Sequence, residues 1–482
     1  MAKSLYEEIT SGKAFRRKNR WTPFRVLRWL LLAYVLYFAV GALAPFAVQP
    51  TVNAAYQAAF DPAVFYQTGS TDRAALVVDN QEALDLRLQM IAGAEQSILL
   101  TSFDIRDCES GRDIFAALLA ASDRGVDVKI LWDGMSGMLH GSAPIFRALG
   151  ERDNVEIRFY NQPNFLLPWT FNGRMHDKYL IVDGRTMVLG GRNTFDLFLG
   201  DYVPDSRKSH DNDVLLYNTA STLDHSVIGQ VEDYFGRVWN QKETRPALES
   251  TPIWARSATD EARAQLEQRW SYSLPPAEWD YRAMTAPVDH VELIHNPTNI
   301  LSKEPTLWWE LQQLMEGAQD RVFLQTPYAV LNAPMYEGLA RVEAPVEMML
   351  NSVAVGDNFV ASSDYLLNRE RLLDTGITVW EWFGDYSSHG KSALIDDLAV
   401  VGSYNWDMHS TDLDTELMLV FHGERFQSQL EGNLLRMQAD SLQALPEGYV
   451  AKPDVAEKPY KDPKAWLYPV TKWVLQPFRF LI

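Results

Sequence analysis

Two copies of a short pattern that contains histidine and lysine are the chemically most informative feature of the sequence. Residues 176–183 read HDKYLIVD and residues 389–396 read HGKSALID, so both match HxKxxxxD. Each copy is followed by Gly-x-x-Asn, which ends at Asn193 in the first half and at Asn405 in the second. One such pattern is moderately specific, whereas two copies with the same sequel indicate a duplicated site. The candidate catalytic residues are His176, Lys178 and Asp183 in the first copy and His389, Lys391 and Asp396 in the second.

The residue types and their spacing suit chemistry at a phosphorus atom. On an extended strand, residues i and i+2 point to the same face, so each histidine emerges beside its lysine. An imidazole can attack phosphorus or deliver a proton, while an ammonium neutralises charge on the non-bridging oxygens. The amides of Asn193 and Asn405 can donate to phosphate oxygens, so both are expected to bind substrate. Each copy then supplies half a site, and packing about a pseudo-two-fold axis would bring the two histidines to one phosphate.

Similar series of predicted strands and helices lead to the two patterns. In the first half, predicted strands at 97–103, 126–132 and 155–160 alternate with helices at 84–91, 114–122 and 145–149. In the second half, predicted strands at 321–325, 346–350 and 377–382 alternate with helices at 308–315, 335–341 and 365–373. This alternation predicts parallel sheets covered by helices on both faces, built from an internal duplication.

Composition and pattern divide the chain into segments of different character. They are a basic cytoplasmic segment 1–28, a transmembrane helix 29–48, a first α/β domain 80–240, a connector 241–287, a second α/β domain 288–440 and a tail 452–482.

The paired pattern and its flanks resemble the phospholipase D superfamily over most of residues 80–440. The flanks are most similar to bacterial cardiolipin synthases, especially the C-type: they read RMHDK at 174–178, VLGGRN at 188–193, VGSYN at 401–405 and DTE at 414–416. The resemblance implies an α/β fold of two tandem phospholipase D-like αβα-sandwich domains with pseudo-two-fold symmetry. It also implies a double displacement without metal or cofactor. One histidine attacks phosphorus, the other protonates the leaving alkoxide, and an acceptor hydroxyl resolves the phosphohistidine.

The resemblance further implies a role for each residue of the pattern. His176 is expected to be the nucleophile and His389 the acid and base, although the symmetry of the sequence leaves the reverse assignment open. The lysines are expected to bind the phosphate. Asp183 and Asp396 belong to the signature and are expected to act in support of the site or of the fold rather than on the substrate.

Members of this superfamily orient each histidine with an acidic residue that follows the asparagine. Glu416 fits that position in the second half, where it opens a predicted strand. Asp213 opens the corresponding strand of the first half and is the preferred partner there, with Asp211 as the alternative. Such a carboxylate would fix the tautomer of the histidine and raise its basicity.

The N-terminal region indicates a membrane anchor. Residues 29–60 contain no Asp, Glu, Lys or Arg, and residues 29–48 are long enough to cross ~30 Å of hydrocarbon. Residues 1–28 hold eight Lys/Arg and two Glu, so they should stay in the cytoplasm and leave the catalytic domains outside. We expect an uncleaved single-pass anchor in the cell membrane. Cleavage near Ala44 or Ala47 is the alternative.

Charge and the C-terminal tail bear on the partners. The formal charge of −19 becomes −25 once the first 28 residues are set aside, which argues against nucleic acid as a partner. The tail at 452–482 has a net charge of +3 and mixes aromatic residues with isolated cations. Pro469 and Pro477 prevent one long spanning helix there. The tail is therefore expected either to lie at the membrane interface or to pack on the protein body.

These observations predict a membrane-anchored phosphatidyltransferase, similar to cardiolipin synthase, that acts on phospholipids in the membrane. A phospholipase D that uses water as the acceptor is the first alternative. A different phosphodiesterase or nuclease and a non-catalytic lipid-binding protein are the others. The sequence does not specify the acceptor alcohol, the acyl preference or the oligomeric state.

Overall fold

The computed structural model describes residues 23–247, 250–271, 279–460 and 464–481. The strands of the first half are β1 (Asp72–Val77), β2 (Ser97–Ser102), β3 (Asp127–Asp133), β4 (Val155–Tyr160), β5 (Tyr179–Val182), β6 (Thr186–Gly190), β7 (Ser209–His210), β8 (Asp213–Asn218) and β9 (Thr244–Pro246). The connector adds β10 (Ala286–Pro287), and the strands of the second half are β11 (His290–His295), β12 (Val322–Gln325), β13 (Ala329–Val330), β14 (Val346–Asn351), β15 (Thr378–Trp382), β16 (Ser387–Ser388), β17 (Ser392–Ile395), β18 (Leu398–Gly402), β19 (Trp406–Asp407), β20 (Leu417–His422) and β21 (Ser441–Gln443).

Helices precede, connect and cover these strands. They are α1 (Pro23–Leu43), α2 (Ala54–Ala59), α3 (Asn80–Ala92), α4 (Glu109–Asp123), α5 (Gly134–His140), α6 (Pro144–Gly150), α7 (Val227–Asn240), α8 (Arg256–Trp270), α9 (Tyr281–Met284), α10 (Thr306–Gly317), α11 (Ala333–Arg341), α12 (Phe359–Leu373), α13 (Met408–Asp412), α14 (Glu424–Ala439) and α15 (Lys464–Val474).

The two large sheets repeat one strand order, which confirms the predicted duplication. The first sheet runs β10–β1–β8–β6–β5–β2–β3–β4–β9, and the second runs β11–β20–β18–β17–β12–β14–β15–β21. Eight consecutive strands of one sheet therefore correspond, position by position, to the eight of the other. The expected pair of α/β domains is confirmed.

The prediction of parallel sheets is wrong in part, because both sheets are mixed. Strands β2, β3 and β4 are parallel, as are β12, β14 and β15. Strands β5, β6, β8 and β1 pair antiparallel, and so do their counterparts in the second sheet. The helices α4, α5 and α6 provide the long crossovers that parallel neighbours require, whereas a turn of three residues joins β5 to β6.

A shared apolar core joins the two halves. Side chains of both sheets contribute to it, among them Ile181 and Leu189 of the first and Leu394 and Val401 of the second. The helices α7 and α14 also belong to this core, and each contacts a strand of the opposite half. The outer faces of the sheets have separate cores under their own helices. The two halves therefore meet through their sheets, with an apolar core and with polar side chains at and around the site.

The connector is part of the first half rather than a free linker. Strand β9 pairs with β4, β10 pairs with β1, and α8 packs on α4 and α6. These contacts hold the described parts of the connector on the first domain.

The two ends of the chain carry exposed apolar helices. The N-terminal helix begins at Pro23, earlier than predicted, and Pro23–Phe46 is long and apolar enough to cross a membrane. The predicted basic segment lies largely outside the described residues. At the other end, Tyr468 of α15 stacks on Phe359, and Arg479 pairs with Asp364. The opposite face of α15 exposes Trp466, Val470 and Trp473.

Candidate active site

The histidine and lysine of each copy lie in extended chain immediately before a central strand. His176 and Lys178 precede β5, and His389 and Lys391 precede β17. The first residue of β5, Tyr179, pairs with Thr101 near the carboxyl end of β2, so the first pair lies at the edge where the parallel strands end. All four side chains are buried or nearly so, because they project into the seam between the halves.

The two aspartates of the signature lie at the far end of β5 and β17. Asp183 and Asp396 have positive φ values of 54° and 49° in the turns that follow these strands. The Asp183 carboxylate accepts the backbone N–H groups of residues 95, 96 and 97, and Asp396 accepts those of residues 319, 320 and 321. Four strand residues separate each aspartate from its lysine, so the two Cα atoms are about 16 Å apart at ~3.3 Å per residue. They therefore hold turns and do not reach the histidines.

Each histidine is hydrogen-bonded to a carboxylate of the opposite half. The Nδ1 atom of His176 lies 2.8 Å from Oε1 of Glu416, and Nδ1 of His389 lies 2.6 Å from Oδ2 of Asp211. A carboxylate at Nδ1 favours the tautomer that carries its proton there and leaves Nε2 free. Nδ1 of His389 also lies 2.6 Å from Nζ of Lys391, which shares this position with Asp211. Because the pairs cross between halves, both histidines belong to one site at the seam.

Backbone contacts show that Asp211 is the counterpart of Glu416. The N–H of His176 donates to the carbonyl oxygen of Thr415 at 3.2 Å. In the other half, the N–H of His389 donates to the carbonyl oxygen of His210 at 2.6 Å. In both cases the acceptor is the residue directly before the acid, so the two halves use the same local arrangement.

The preference for Asp213 as the histidine partner is therefore corrected to Asp211. The Asp213 carboxylate is fully buried and lies 2.8 Å from Arg87 and 3.3 Å from Arg192, away from His389. The prediction took the first residue of each predicted strand as the acid. In the structure, Glu416 directly precedes β20, whereas Asn212 separates Asp211 from β8, so the two acids do not stand at the same distance from their strands. Arg192 is used in this ion pair and in bonds to backbone carbonyls, so it lies behind the site.

Burial lowers the basicity of the four signature side chains. Desolvation, aided by the charge of Lys178, lowers the pKa of His176 well below its ordinary value. Desolvation and Lys391 also lower the pKa of His389, by less. Burial lowers the pKa of Lys178 to about 7, and it lowers the pKa of Lys391 too. Charges of one half also shift pKa values in the other half: the charge of Lys391 lowers the pKa of His176.

The pKa values of the two orienting acids are shifted in opposite directions. Burial raises the pKa of Glu416 to about 8. Burial would also raise the pKa of Asp211, but the charge of Lys391, 3.6 Å away, the hydrogen bond with His389 and the charge of Arg192 together outweigh burial and lower that pKa. The pKa of the acid is thus raised at His176 and lowered at His389. The sequence pattern is symmetric, but the electrostatic environment is not.

The two asparagines follow β6 and β18 beside the histidine segments. The Asn193 Oδ1 atom accepts the N–H of Asp104 at 3.3 Å, which leaves its Nδ2 as a donor for a ligand. Asn405 donates from Nδ2 to the Tyr328 hydroxyl at 3.2 Å. Its Oδ1 atom is buried and has no partner in the described part of the chain.

Further side chains at the site were not found from the sequence. The rings of Phe103 and Phe198 meet His176 and His389 edge-on, with centroids 5.3 and 4.9 Å apart. Ser403 donates from Oγ to the second carboxylate oxygen of Glu416. Phe103 follows a buried strand, which was a usable signal, whereas Phe198 lies in a loop without a pattern. No group of three or more His, Cys, Asp or Glu residues within the described ranges could hold a metal ion.

Comparisons with known proteins agree with this geometry. The family model described as "Cardiolipin synthase, PLD-like domain" matches residues 88–239 and 311–438, together more than half of the chain. The chain is 26% identical to cardiolipin synthase C of Escherichia coli over 410 residues, covering 75% of this chain and 83% of that protein. It is 24% identical to a cardiolipin synthase of Listeria monocytogenes over 390 residues, covering 78% of this chain and 71% of that protein.

A solved structure shows the same fold. It is the phosphatidylserine synthase of Haemophilus influenzae, with a TM-score of 0.60 and 14% identity, covering 85% of this chain and 95% of that one. Both signature segments fall inside the two regions matched by the family model. The chain therefore belongs to the phospholipase D superfamily, in the family of cardiolipin synthase PLD-like domains.

Proposed function

We propose that this protein is a membrane-anchored phosphatidyltransferase of the cardiolipin synthase type. The crossed contacts of His176 with Glu416 and of His389 with Asp211 carry the proposal. They put two imidazoles, each held by a carboxylate through Nδ1, at one seam between the halves. Two such imidazoles, one attacking and one donating a proton, are what a double displacement at a phosphodiester needs.

The first step forms a phosphohistidine. Nε2 of one histidine attacks phosphorus of a phosphatidylglycerol, and the bond from phosphorus to the glycerol oxygen breaks. The other histidine, as imidazolium, gives its proton to that oxygen. The ammonium groups of Lys178 and Lys391 neutralise the phosphate. Because burial brings the pKa of Lys178 to about 7, an arriving anion is expected to favour its charged form.

The unequal acids favour His176 as the nucleophile. Its pKa is lowered further than that of His389, so its Nε2 lone pair stays free. The hydrogen bond and charge of Asp211 raise the pKa of His389 and partly offset the effects of burial and Lys391, which makes His389 the better proton donor of the two. In the second step, neutral His389 takes the proton of an acceptor hydroxyl, whose oxygen attacks phosphorus and releases His176.

The ends of the chain support a site close to lipid. Pro23–Phe46 would cross the bilayer, with the basic N-terminal residues in the cytoplasm and the two α/β domains outside. The exposed face of α15, with Trp466 and Trp473, would lie at the interface while Tyr468 holds the helix on the second domain. The anchor and the tail would then hold the catalytic domains against their substrate.

The proposal is tested by following lipid products by mass spectrometry. Full-length enzyme is incubated with phosphatidylglycerol and phosphatidylethanolamine in mixed micelles. We expect cardiolipin from the unaltered enzyme and a loss of at least about a thousandfold in His176→Asn and His389→Asn, since both steps need both imidazoles. The control is His225→Asn, outside the site. Phosphatidate without cardiolipin would select hydrolysis, and full turnover by either site variant would exclude the mechanism.

A substrate with a good leaving group identifies the nucleophile. A p-nitrophenyl phosphodiester needs no proton for departure of the phenolate, so His389→Asn should still form the covalent adduct and resolve it slowly. We expect intact-protein and peptide mass spectra to place the added phosphoryl group on His176. If the His176→Asn variant instead carried the adduct on His389, the roles of nucleophile and proton donor would be reversed.

A further inference from the structure

An uncharged loop of the first domain packs along the N-terminal helix. Residues 161–173 read NQPNFLLPWTFNG and contain no Asp, Glu, Lys or Arg. The tip of this loop is strongly exposed, with Phe165 at 61%, Leu166 at 73% and Leu167 at 39% of their free surface. In a soluble domain three adjacent apolar side chains rarely project into water together.

The loop contacts one face of α1 over more than two turns. The hydroxyls of Tyr34 and Tyr37 donate to the carbonyl oxygens of Phe165 and Leu166 at 2.9 and 2.6 Å. Further toward the carboxyl end of the helix, Pro168 packs so closely on Gly41 that a Cβ atom there would lie 3.0 Å from its ring. The contact residues of the helix share one face, at the spacing i, i+3, i+4, i+7 and i+8: Tyr34, Tyr37, Phe38, Gly41 and Ala42.

These contacts fix the depth of the loop relative to the helix. Tyr34 lies nine residues before the end of α1 at Leu43, which is about 14 Å along the axis at ~1.5 Å per residue. A helix that crosses ~30 Å of hydrocarbon would therefore carry the tip of the loop into the apolar region.

Most backbone groups at the tip are hydrogen-bonded, as that environment favours. Unpaired N–H and C=O groups are costly in hydrocarbon, where no water can bond them. The carbonyl oxygens of Phe165 and Leu166 accept from the tyrosine hydroxyls. The N–H of Leu166 donates to the side-chain oxygen of Asn164, and the N–H of Leu167 donates to the carbonyl oxygen of Asn164. The carbonyl oxygen of Leu167 accepts from Thr170.

Polar and cationic groups appear only at the base of the loop. A cleft of about 350 Å³ there is lined by Trp169, Lys242, Glu243 and Arg245, among others, and Glu243 pairs with Lys242 at 3.4 Å. An indole and a net positive charge at this level suit the headgroup region of an anionic bilayer.

We propose that the loop at residues 163–171 inserts into the outer leaflet beside α1 and fixes the height of the active site above the lipid. Arg174 ties the base of the loop by bonds to the carbonyl oxygens of Asn161, Thr170 and Asn172. His176 follows two residues later, so the depth of the loop sets the position of that histidine. The inference concerns the membrane-bound state of the proposed function, but insertion can be measured without turnover.

A fluorophore at the tip tests the insertion. The only cysteine, Cys108, is replaced by serine, and Leu166→Cys is labelled with an environment-sensitive NBD group in the full-length chain. The protein is reconstituted into phosphatidylglycerol and phosphatidylcholine vesicles that contain doxyl-labelled lipids. The control label is placed at Glu95→Cys, an exposed position at the opposite edge of the first sheet.

We expect a blue-shifted emission at residue 166 that acyl-chain doxyl groups quench at least twofold, and neither effect at residue 95. A water-like emission at residue 166 would overturn the proposal. A blue shift without quenching by lipid would also overturn it, because a second protein chain would then cover the loop.

A matched pair of substrates tests the consequence for catalysis. Leu166→Asp should lower turnover of long-chain phosphatidylglycerol in vesicles at least tenfold and leave turnover of a short-chain, monomeric phosphatidylglycerol unchanged. Equal activity of this variant on vesicles would contradict a role of the loop in lipid access. If even the unaltered enzyme turned over neither lipid, the proposed function would fail, while the quenching result would still decide insertion.

Discussion

Asp211 and Asp213 are two residues apart, yet the structure gives them different partners, and substitution separates their effects. Asp211→Asn removes the ionised acceptor at Nδ1 of His389. We expect kcat to fall by about a thousandfold to ten-thousandfold, as when a histidine is left in the wrong tautomer. Asp213→Asn leaves the buried Arg87 and Arg192 without their carboxylate. It should lower the free energy of unfolding by about 3–5 kcal/mol, with a much smaller effect on kcat of the folded enzyme.

Turnover per folded molecule and unfolding in urea measure the two effects. The assignment fails if Asp213→Asn removes activity from well-folded enzyme while Asp211→Asn retains it. A loss of both activity and fold in Asp211→Asn alone would instead show that its charge is needed mainly to balance Lys391.

At the residue scale, the sequence predicted the groups that meet but not every partner. Paired patterns located His176, His389 and both lysines, since residue type and spacing carry that signal. The choice between Asp211 and Asp213 depends on one extra residue before β8, and no periodicity reveals which of two acids turns toward the seam. The electrostatic difference between Glu416 and Asp211 depends on burial and on the position of Lys391, so it was out of reach of the pattern.

At the scale of elements, the turns after β5 and β17 each depend on one aspartate. Both residues have a positive φ. The carboxylate of each accepts three backbone N–H groups at the start of the neighbouring strand in the sheet, β2 for Asp183 and β12 for Asp396. We expect Asp183→Ala and Asp396→Ala to lower the free energy of unfolding by about 2–3 kcal/mol each, because the bonds to a charged acceptor are lost. Asn tolerates positive φ and can still accept, so Asp183→Asn should cost less.

Activity decides whether these aspartates belong to the chemistry. Per folded molecule, kcat of both alanine variants should stay within about threefold of the unaltered enzyme, because four strand residues separate each aspartate from the lysine. A fall of a hundredfold in fully folded enzyme would return Asp183 to the catalytic group.

Most central elements were predictable because buried strands are short apolar runs. The strand at Val155–Tyr160 was predicted to the residue, and most of the others within one or two. The direction of the strands was less predictable, because alternation with helices describes only β2, β3 and β4 and their counterparts. Strands joined by a helix pair in parallel, whereas the strands of the hairpins β5–β6 and β17–β18 pair antiparallel. An apolar run in the sequence does not distinguish the two kinds of pairing.

At the scale of the whole molecule, the crossed pairs make one site from two halves of the same chain. Neither domain holds a complete histidine and acid pair, and both domains share the core around Ile181 and Leu394. That arrangement depends on how two sheets dock, and it could be inferred from sequence only through the duplication. It leads to a prediction about mixtures of inactive enzymes.

Equal amounts of His176→Asn and His389→Asn, mixed in detergent and reconstituted together, should not regain activity. Each molecule lacks one of the two imidazoles at its own seam, and a second molecule cannot supply it without exchanging a domain that is held by a large apolar core. Cardiolipin formation should stay below about 1% of the unaltered enzyme, since the loss in each variant is at least about a thousandfold. A mixture of the unaltered enzyme with either variant should show half the activity and serves as the control. Recovery toward a quarter of full activity would mean that two chains share the site. The crossed pairs would then be contacts between molecules rather than within one.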